Sequence, residues 1–298
     1  MANLAQAITS PGDTVLVPNP SYPIHPYGFI IAGGSVRHIP VPGAHSTTEF
    51  LGALERAVRH TVPKPIALVL NYPSNPTAQV VDLDFYAAVV DFCKRQGIWI
   101  LSDLAYAEIY FDIEPPPSIV QIPGAKDVAI EFTSMSKTYN MPGWRIGFAA
   151  GNKTLIHALS RIKSYLDYGA FTPIQVAASA ALNGPQDFIP RNNEAFKRRR
   201  DLVVSMLNQA KGIHCPVPEG AFYVYPSCAG TIGRKTPQGK TIETDTDFVE
   251  YLLEAEGVAV VQGTAFGLAP YFRISYATSD EQLREACTRI QRACAALR

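Results

Sequence analysis

Apolar residues fall along this chain in two patterns. In the first half they form short uninterrupted runs, at Thr14 to Val17, Ile66 to Leu70, Ile98 to Leu101 and Val128 to Thr133. Runs that do not alternate with polar residues suit strands covered on both faces. Helical spacings lie between them: Asp84 to Arg95 sets Phe85, Val89 and Phe92 three to four residues apart, and Gly97 supplies a stop before the next strand. Strand alternating with helix predicts an α/β fold, a mostly parallel sheet sandwiched by helices, with ligand groups collecting at the carboxyl ends of the strands.

From Arg191 the pattern changes. A long charged helical stretch, Arg191 to Ala210, leads to shorter strands around Phe222 to Tyr225, Val258 to Val261 and Phe272 to Tyr276. Ser279 and Gln282 have the spacing of a capping box, so a closing helix starts there, with Leu283, Cys287, Ile290, Cys294 and Leu297 as its buried stripe. The chain thus divides into a large domain over 1–190 and, over 191–298, a linking helix with a smaller α+β domain. The polar run Gly233 to Asp247 reads as an exposed loop or hairpin without a catalytic part.

Composition narrows the function more than the fold. With 298 residues and 47% apolar content the chain can bury a sizeable core, and such a length suits about two domains. Lys plus Arg equals Asp plus Glu at 26 each. No net field therefore draws the chain to nucleic acid or an anionic membrane, and small molecules are the expected substrates. No apolar run approaches the roughly 20 residues of a membrane span. Met1-Ala2-Asn3 lacks the charged and apolar regions of a signal peptide, which points to the cytoplasm. The five cysteines, Cys93, Cys215, Cys228, Cys287 and Cys294, show no metal-ligand spacing, so they read as structural thiols and no metal site is expected.

Three polar clusters each follow one of the early apolar runs. In Ser134-Met135-Ser136-Lys137, a lysine flanked by serines sits just past a strand, where its amine can face a cleft and lose its proton by desolvation, as a Schiff-base lysine must. Arg145, eight residues on, and the Ser134 hydroxyl can close around a phosphate. The cofactor this suggests is pyridoxal phosphate. In Leu101-Ser102-Asp103-Leu104-Ala105-Tyr106, Asp103 ends a strand and can pair with a pyridinium nitrogen, while Tyr106 can hydrogen-bond a ring oxygen. Asn75, in Asn71-Tyr72-Pro73-Ser74-Asn75-Pro76-Thr77, can donate to the same oxygen, and the prolines predict a fixed turn that accommodates a cis bond. Taken singly each is weak, since an Asp after a strand is more often a helix cap and Asn-Pro more often a turn. The parallel-sheet rule delivers all three to one side of the fold.

These clusters and their spacing, carried through the whole length, resemble the class I and II aminotransferases of the aspartate aminotransferase superfamily, fold type I of the pyridoxal phosphate enzymes. The resemblance implies that Lys137 forms the Schiff base, Asp103 pairs with the pyridine nitrogen, Asn75 and Tyr106 contact the ring oxygen, and Ser134 and Arg145 hold the phosphate. In Pro18-Asn19-Pro20-Ser21-Tyr22-Pro23 it puts Tyr22 over the pyridine face. Arg273 stands alone in the apolar stretch Pro270 to Tyr276, where a charge requires an anionic partner. The resemblance makes it the bidentate clamp for the substrate α-carboxylate, with Asn75 also a substrate-binding residue and Gly220 to Tyr223 lining the site.

The implied activity is ping-pong transfer of an amino group between an L-amino acid, such as alanine, aspartate or glutamate, and a 2-oxo acid, by a cytoplasmic homodimer working in amino acid metabolism. Lys137 moves the proton from the substrate α-carbon. Fold by itself leaves β-elimination, decarboxylation or a chain of little activity as alternatives. Asn3 to Ile8 resembles the body of a helix whose phosphate-binding start precedes it in the family, so that start is expected to be missing. Through about Thr172 the chain is similar to glutamate-pyruvate (alanine) aminotransferases. From about Ala181 it is similar to bacterial aspartate aminotransferases, which raises the idea of a recombined origin.

Overall fold

The uninterrupted apolar runs of the first half become strands of one sheet. In the computed structural model, which describes residues 1–40 and 46–298, the chain forms two compact units, Met1–Ser74 with Val80–Ile189, and Asn75–Gln79 with Pro190–Arg298. The first unit runs α1 (Ala2–Ile8), β1 (Thr14–Asn19), α2 (Ile24–Ile31), β2 (Ser35–Pro40), α3 (Thr47–Arg59), β3 (Ala67–Asn71), α4 (Leu83–Gln96) and β4 (Trp99–Asp103). It continues with β5 (Ala129–Ser134), α5 (Met135–Thr138), β6 (Gly147–Gly151), α6 (Lys153–Leu166) and α7 (Thr172–Asn183).

Among the described residues the sheet has the order β2-β1-β3-β4-β5-β6. All pairings are parallel except β5 with β6, which is antiparallel. Both faces are covered, which is why the strands read as continuous apolar runs. Leu16, Leu68, Leu70 and Ile100 pack on one face with Phe50 and Leu54 of α3 and Phe85 and Val89 of α4. Their strand neighbours Val15, Val17, Val69, Leu101 and Ile130 pack on the other with Leu4 of α1, Phe29 of α2 and Leu155 of α6. Gly97 ends α4 in the left-handed conformation with φ 62°, as its position after the last apolar residue suggests. The peptide bonds Tyr72–Pro73 and Asn75–Pro76 are cis.

The second unit takes up most of α8 (Phe188–Leu207), then β7 (Tyr223–Val224), α9 (Asp245–Glu256), β8 (Val261–Gln262), β9 (Phe272–Ser275) and α10 (Asp280–Ala296). Its strands form an antiparallel sheet in the order β7-β9-β8. The helix expected over Arg191 to Ala210 begins earlier, at Phe188, and the strand expected over Val258 to Val261 is confined to Val261–Gln262. The stripe of α10 is buried as its spacing predicts, from Leu283 through Cys287, Ile290 and Cys294 to Leu297. Only half of its capping box forms. Ser279 Oγ accepts the Gln282 N–H at 3.3 Å, while the Gln282 side chain bonds the Thr278 hydroxyl instead of returning to the cap.

The polar run Gly233 to Asp247 opens as the hairpin its composition suggests, with Lys235 bridged to Thr241 around the exposed residues 237–240, but it is not exposed throughout. Thr236, Ile242 and Asp245 are buried, and α9 starts inside the run. Thr244 caps that helix in a reciprocal box with Asp247. The shorter carboxylate in place of the usual Glu or Gln hides the signal in sequence. All five cysteines are free and buried. No helix among the described residues is long and apolar enough to cross a membrane.

Candidate active site

Parallel register sets the carboxyl ends of neighbouring strands side by side. Asn71 at the end of β3 lies opposite Asp103 at the end of β4, and Asp103 lies opposite Phe132 near the end of β5. Asp103 is held from three sides. Its Oδ2 is 2.9 Å from His25 Nε2, its Oδ1 accepts the Ala105 N–H at 3.2 Å, and its main-chain carbonyl accepts from Asn71 Nδ2 at 2.9 Å. The His25 side chain is 2% exposed and that of Asp103 18%, so a fixed carboxylate keeps one open edge. Tyr22 meets the His25 ring edge-on, with centroids 5.8 Å apart, and is itself 41% exposed. An exposed aromatic beside a fixed carboxylate can cover one face of a flat cationic ring.

Lys137 stands at the end of β5 on the single turn α5. The turn starts because Ser134 caps it, its Oγ accepting the Ser136 N–H at 3.1 Å. Lys137 Nζ lies 5.6 Å from the centroid of the buried Tyr106 ring. The excursion from 135 to 146 has a closed neck, for Ser134 pairs with Gly147 and the Met135 N–H donates to the Ile146 carbonyl at 3.2 Å. Lys137 and Arg145 are therefore carried on one short, tied segment. Arg145 adopts φ 52°, a left-handed conformation uncommon for a side chain of its size. Its Nη1 donates to the Pro142 carbonyl at 2.7 Å, leaving the rest of an exposed guanidinium to meet an anion. The excursion is anchored at its middle. Tyr139 donates to Gln186 Oε1 at 2.9 Å, and Gln186 Nε2 donates to the carbonyls of Ala181, in the last turn of α7, at 3.0 Å and of Gly184, just past its end, at 2.7 Å.

The second unit carries the remaining two predicted residues. Asn75 belongs to it through the segment Asn75–Gln79, outside the range 191–298 expected for the small domain. Asn75 Oδ1 accepts from Arg273 Nη1 at 2.7 Å. The Arg273 guanidinium lies 4.4 Å from the Tyr223 ring centroid and 4.8 Å from that of Phe266, and its Nε is buried with no hydrogen-bond partner. A desolvated guanidinium with an unanswered N–H is built to receive an anion.

Sequence reasoning missed His25, Asn71 and Phe266. His25 carried a usable signal, being three residues after Tyr22 at the start of a helix and so one turn from it. The other two are legible only once register and turn geometry are known.

The family model Aminotransferase class I and II matches residues 1–290. The chain belongs to the class I and II aminotransferases. It is 52% identical over 293 residues to the putative aminotransferase AatC of Rhizobium meliloti, a match covering 98% of this chain and 69% of that one. It is 48% identical over 267 residues to the glutamate-pyruvate aminotransferase AlaC of Escherichia coli, covering 90% of this aminotransferase and 62% of the relative. The crystal structure of the aspartate aminotransferase from Rhizobium meliloti superposes with a TM-score of 0.93 at 41% identity, over 100% of this chain and 74% of that one. Pyridoxal phosphate is the cofactor of the family. The residues present suit it: a fixed carboxylate for its ring nitrogen, an exposed aromatic for its face, a lysine for its aldehyde, and a serine and an arginine for its phosphate.

Proposed function

We propose that this aminotransferase moves the amino group of an L-amino acid, with alanine, aspartate or glutamate as the substrate class, to a 2-oxo acid. The observation that carries the reading is the pairing of a three-point-fixed Asp103 with a Lys137 at the adjoining strand end. Pyridoxal phosphate, when bound, supplies an electron-withdrawing ring that stabilises negative charge on the substrate α-carbon. Asp103 would keep the ring nitrogen protonated, with His25 holding Asp103 in place. Tyr22 would cover the ring face, Tyr106 and Asn75 would donate to the ring oxygen, and Ser134 with Arg145 would hold the phosphate. Lys137 Nζ would hold the aldehyde group at rest and, once free, take the proton from the substrate α-carbon. Arg273 pairs with the substrate α-carboxylate, with Asn75 fixing the guanidinium.

We further propose a homodimer in the cytoplasm. In support, the first unit exposes Tyr165, Leu166, Tyr168 and Phe171 close together in sequence, an apolar surface suited to association. Five free thiols suit a reducing compartment. The test is borohydride reduction of the protein incubated with pyridoxal phosphate, followed by peptide mass analysis, alongside assays of amino transfer from each of the three amino acids. A pyridoxyl group on Lys137 and loss of both label and transfer in Lys137→Ala are expected. Label retained elsewhere with transfer intact in that variant overturns the reading.

A further inference from the structure

Asp245 is fully buried, yet no role assigned so far uses it. It is the first residue of α9, and both of its carboxylate oxygens are spent on one residue. Oδ2 accepts the Thr264 N–H at 2.9 Å and Oδ1 accepts the Thr264 hydroxyl at 2.6 Å. Such a two-point, charge-assisted grip fixes both the position and the rotation of what it holds. Thr264 lies in the single 3-10 turn Gly263–Phe266 that follows β8.

The same turn is pinned at its other side. Tyr225 Oη lies 3.2 Å from the Gly263 carbonyl and 3.0 Å from that of Leu268, and the Gly263 N–H donates to the Tyr271 carbonyl at 2.7 Å. No side chain fits at Gly263, since a Cβ there would lie 2.2 Å from the Leu268 carbonyl oxygen. A turn held this tightly has one product that faces the site. Phe266 ends it, 5% exposed, with its ring 4.8 Å from the Arg273 guanidinium, which also lies 4.4 Å from the Tyr223 ring.

We propose that Asp245 is a positioning residue for substrate binding: by gripping Thr264 it fixes the Phe266 ring against Arg273 and so holds the guanidinium in the orientation that receives the incoming carboxylate. The inference rests on the reading of Arg273 as the carboxylate clamp. Residues that set the orientation of a binding group affect affinity without touching the ligand, and displacements below an ångström suffice.

The test uses the full chain loaded with pyridoxal phosphate and propionate, an inert carboxylate, as the probe. The Nε–H resonance of Arg273, identified as the signal lost in Arg273→Lys, is followed by proton–nitrogen NMR as propionate is added. In the native protein it shifts and saturates. In Asp245→Ala, which leaves the Thr264 N–H and hydroxyl with no carboxylate to bind, saturation requires about tenfold more propionate. Thr264→Val, which loses only the hydroxyl bond, requires about threefold more, and Thr264→Ser restores the native value. In steady-state assays the Asp245→Ala defect falls on KM for the amino acid, with kcat within about twofold of native. If Asp245→Ala does not fold, the Thr264 pair decides. A native propionate response in Thr264→Val or in folded Asp245→Ala overturns the proposal while leaving the clamp intact. A native Nε–H signal indifferent to propionate overturns the clamp reading and the proposal with it.

Discussion

Glu131 is the residue on which the geometry of the first unit's strand ends can be tested by stability alone. It lies in β5, 7% exposed, three residues before Ser134. Its Oε2 accepts the Ser102 hydroxyl and the Ile119 N–H, each at 3.0 Å, and its Oε1 accepts the Ser118 hydroxyl. Ser102 directly precedes Asp103, so this carboxylate ties β4 to β5 next to the catalytic ends. Glu131→Ala strips the acceptor from the Ile119 N–H, which has no access to water, while the Ser102 hydroxyl keeps its bond with Tyr86, for Ser102 is 1% and Ile119 0% exposed. At about 1–3 kcal/mol for a buried donor left unsatisfied, plus a smaller rearrangement at Ser102, the expected loss is about 2–3 kcal/mol. Glu131→Gln keeps an acceptor for both buried donors and turns its NH2 toward Ser118, whose hydroxyl is half-buried and can rotate. Its loss is about 1 kcal/mol.

The pH dependence separates burial from hydrogen bonding. Burial pushes the Glu131 carboxyl above its ordinary 4.5, against the lowering pull of Ser118, Ile119 and Ser102. Between 4.5 and the raised value, the folded protein keeps a proton that the unfolded chain has already released. Wild-type stability therefore falls as the pH rises through that interval and levels off above it. Glutamine does not titrate, so the deficit of Glu131→Gln relative to wild type shrinks on going from about pH 5 to about pH 8. Urea unfolding followed by circular dichroism at the two pH values measures it. A deficit that grows with pH would mean that the three donors outweigh burial. Equal losses in the alanine and glutamine variants would mean that the buried donors find other acceptors. Either result refutes the argument.

Two further outcomes are expected. His25→Asn cannot span the 2.9 Å contact to Asp103, and freeing the carboxylate should raise the dissociation constant for pyridoxal phosphate about tenfold, as loss of a supporting partner does at bound cofactors and metals; equilibrium dialysis checks this, and an unchanged constant would show that Ala105 and Asn71 suffice. Gly151 has φ 143°, and a Cβ there would lie 2.3 Å from the Ala129 carbonyl oxygen, so Gly151→Ala should destabilise the protein by about 3 kcal/mol or more through strain at the β5–β6 edge, visible as a lowered urea midpoint.

The fold was most legible where burial is two-sided. Leu16 and Val17 are neighbours on opposite faces, yet both are 0% exposed, so the run around them has no polar gaps and announces a strand. Strands that are short or lie at an edge gave no such signal. β2, at the sheet edge, is mostly exposed with Ile39 its one fully buried residue, and β8 is two residues long. Among site residues, Lys137, Asp103 and Arg273 were visible because each is a charge set in or just after an apolar run, where only chemistry or pairing explains it. His25 and Asp245 were not. A buried histidine in a helix and an aspartate at a helix start both have ordinary structural uses. What distinguishes them is the partner, Asp103 for one and Thr264 for the other, and partners brought together by tertiary folding leave no trace in local sequence.

The pairing of Arg273 with Asn75 shows why an isolated arginine in an apolar strand can be stable and still useful. The two are 198 residues apart in sequence but lie in the same unit, so their hydrogen bond is part of that unit's own structure. Had the acceptor been a carboxylate, the ion pair would have neutralised the guanidinium, and a substrate anion would have had to displace it. Asn75 instead satisfies one N–H with a neutral oxygen and leaves the charge uncompensated. The rings of Tyr223 and Phe266, at 4.4 and 4.8 Å, stabilise that charge through their faces and take up none of its donors. Among the described residues no carboxylate pairs with Arg273, and its Nε stays unbonded although it is buried. Burying an unanswered donor next to an uncompensated charge is unfavourable until an anion arrives. In the clamp role proposed for Arg273, pairing of the guanidinium with a carboxylate would offset that cost, and the difference would favour a carboxylate-bearing substrate over an analogue that lacks the group.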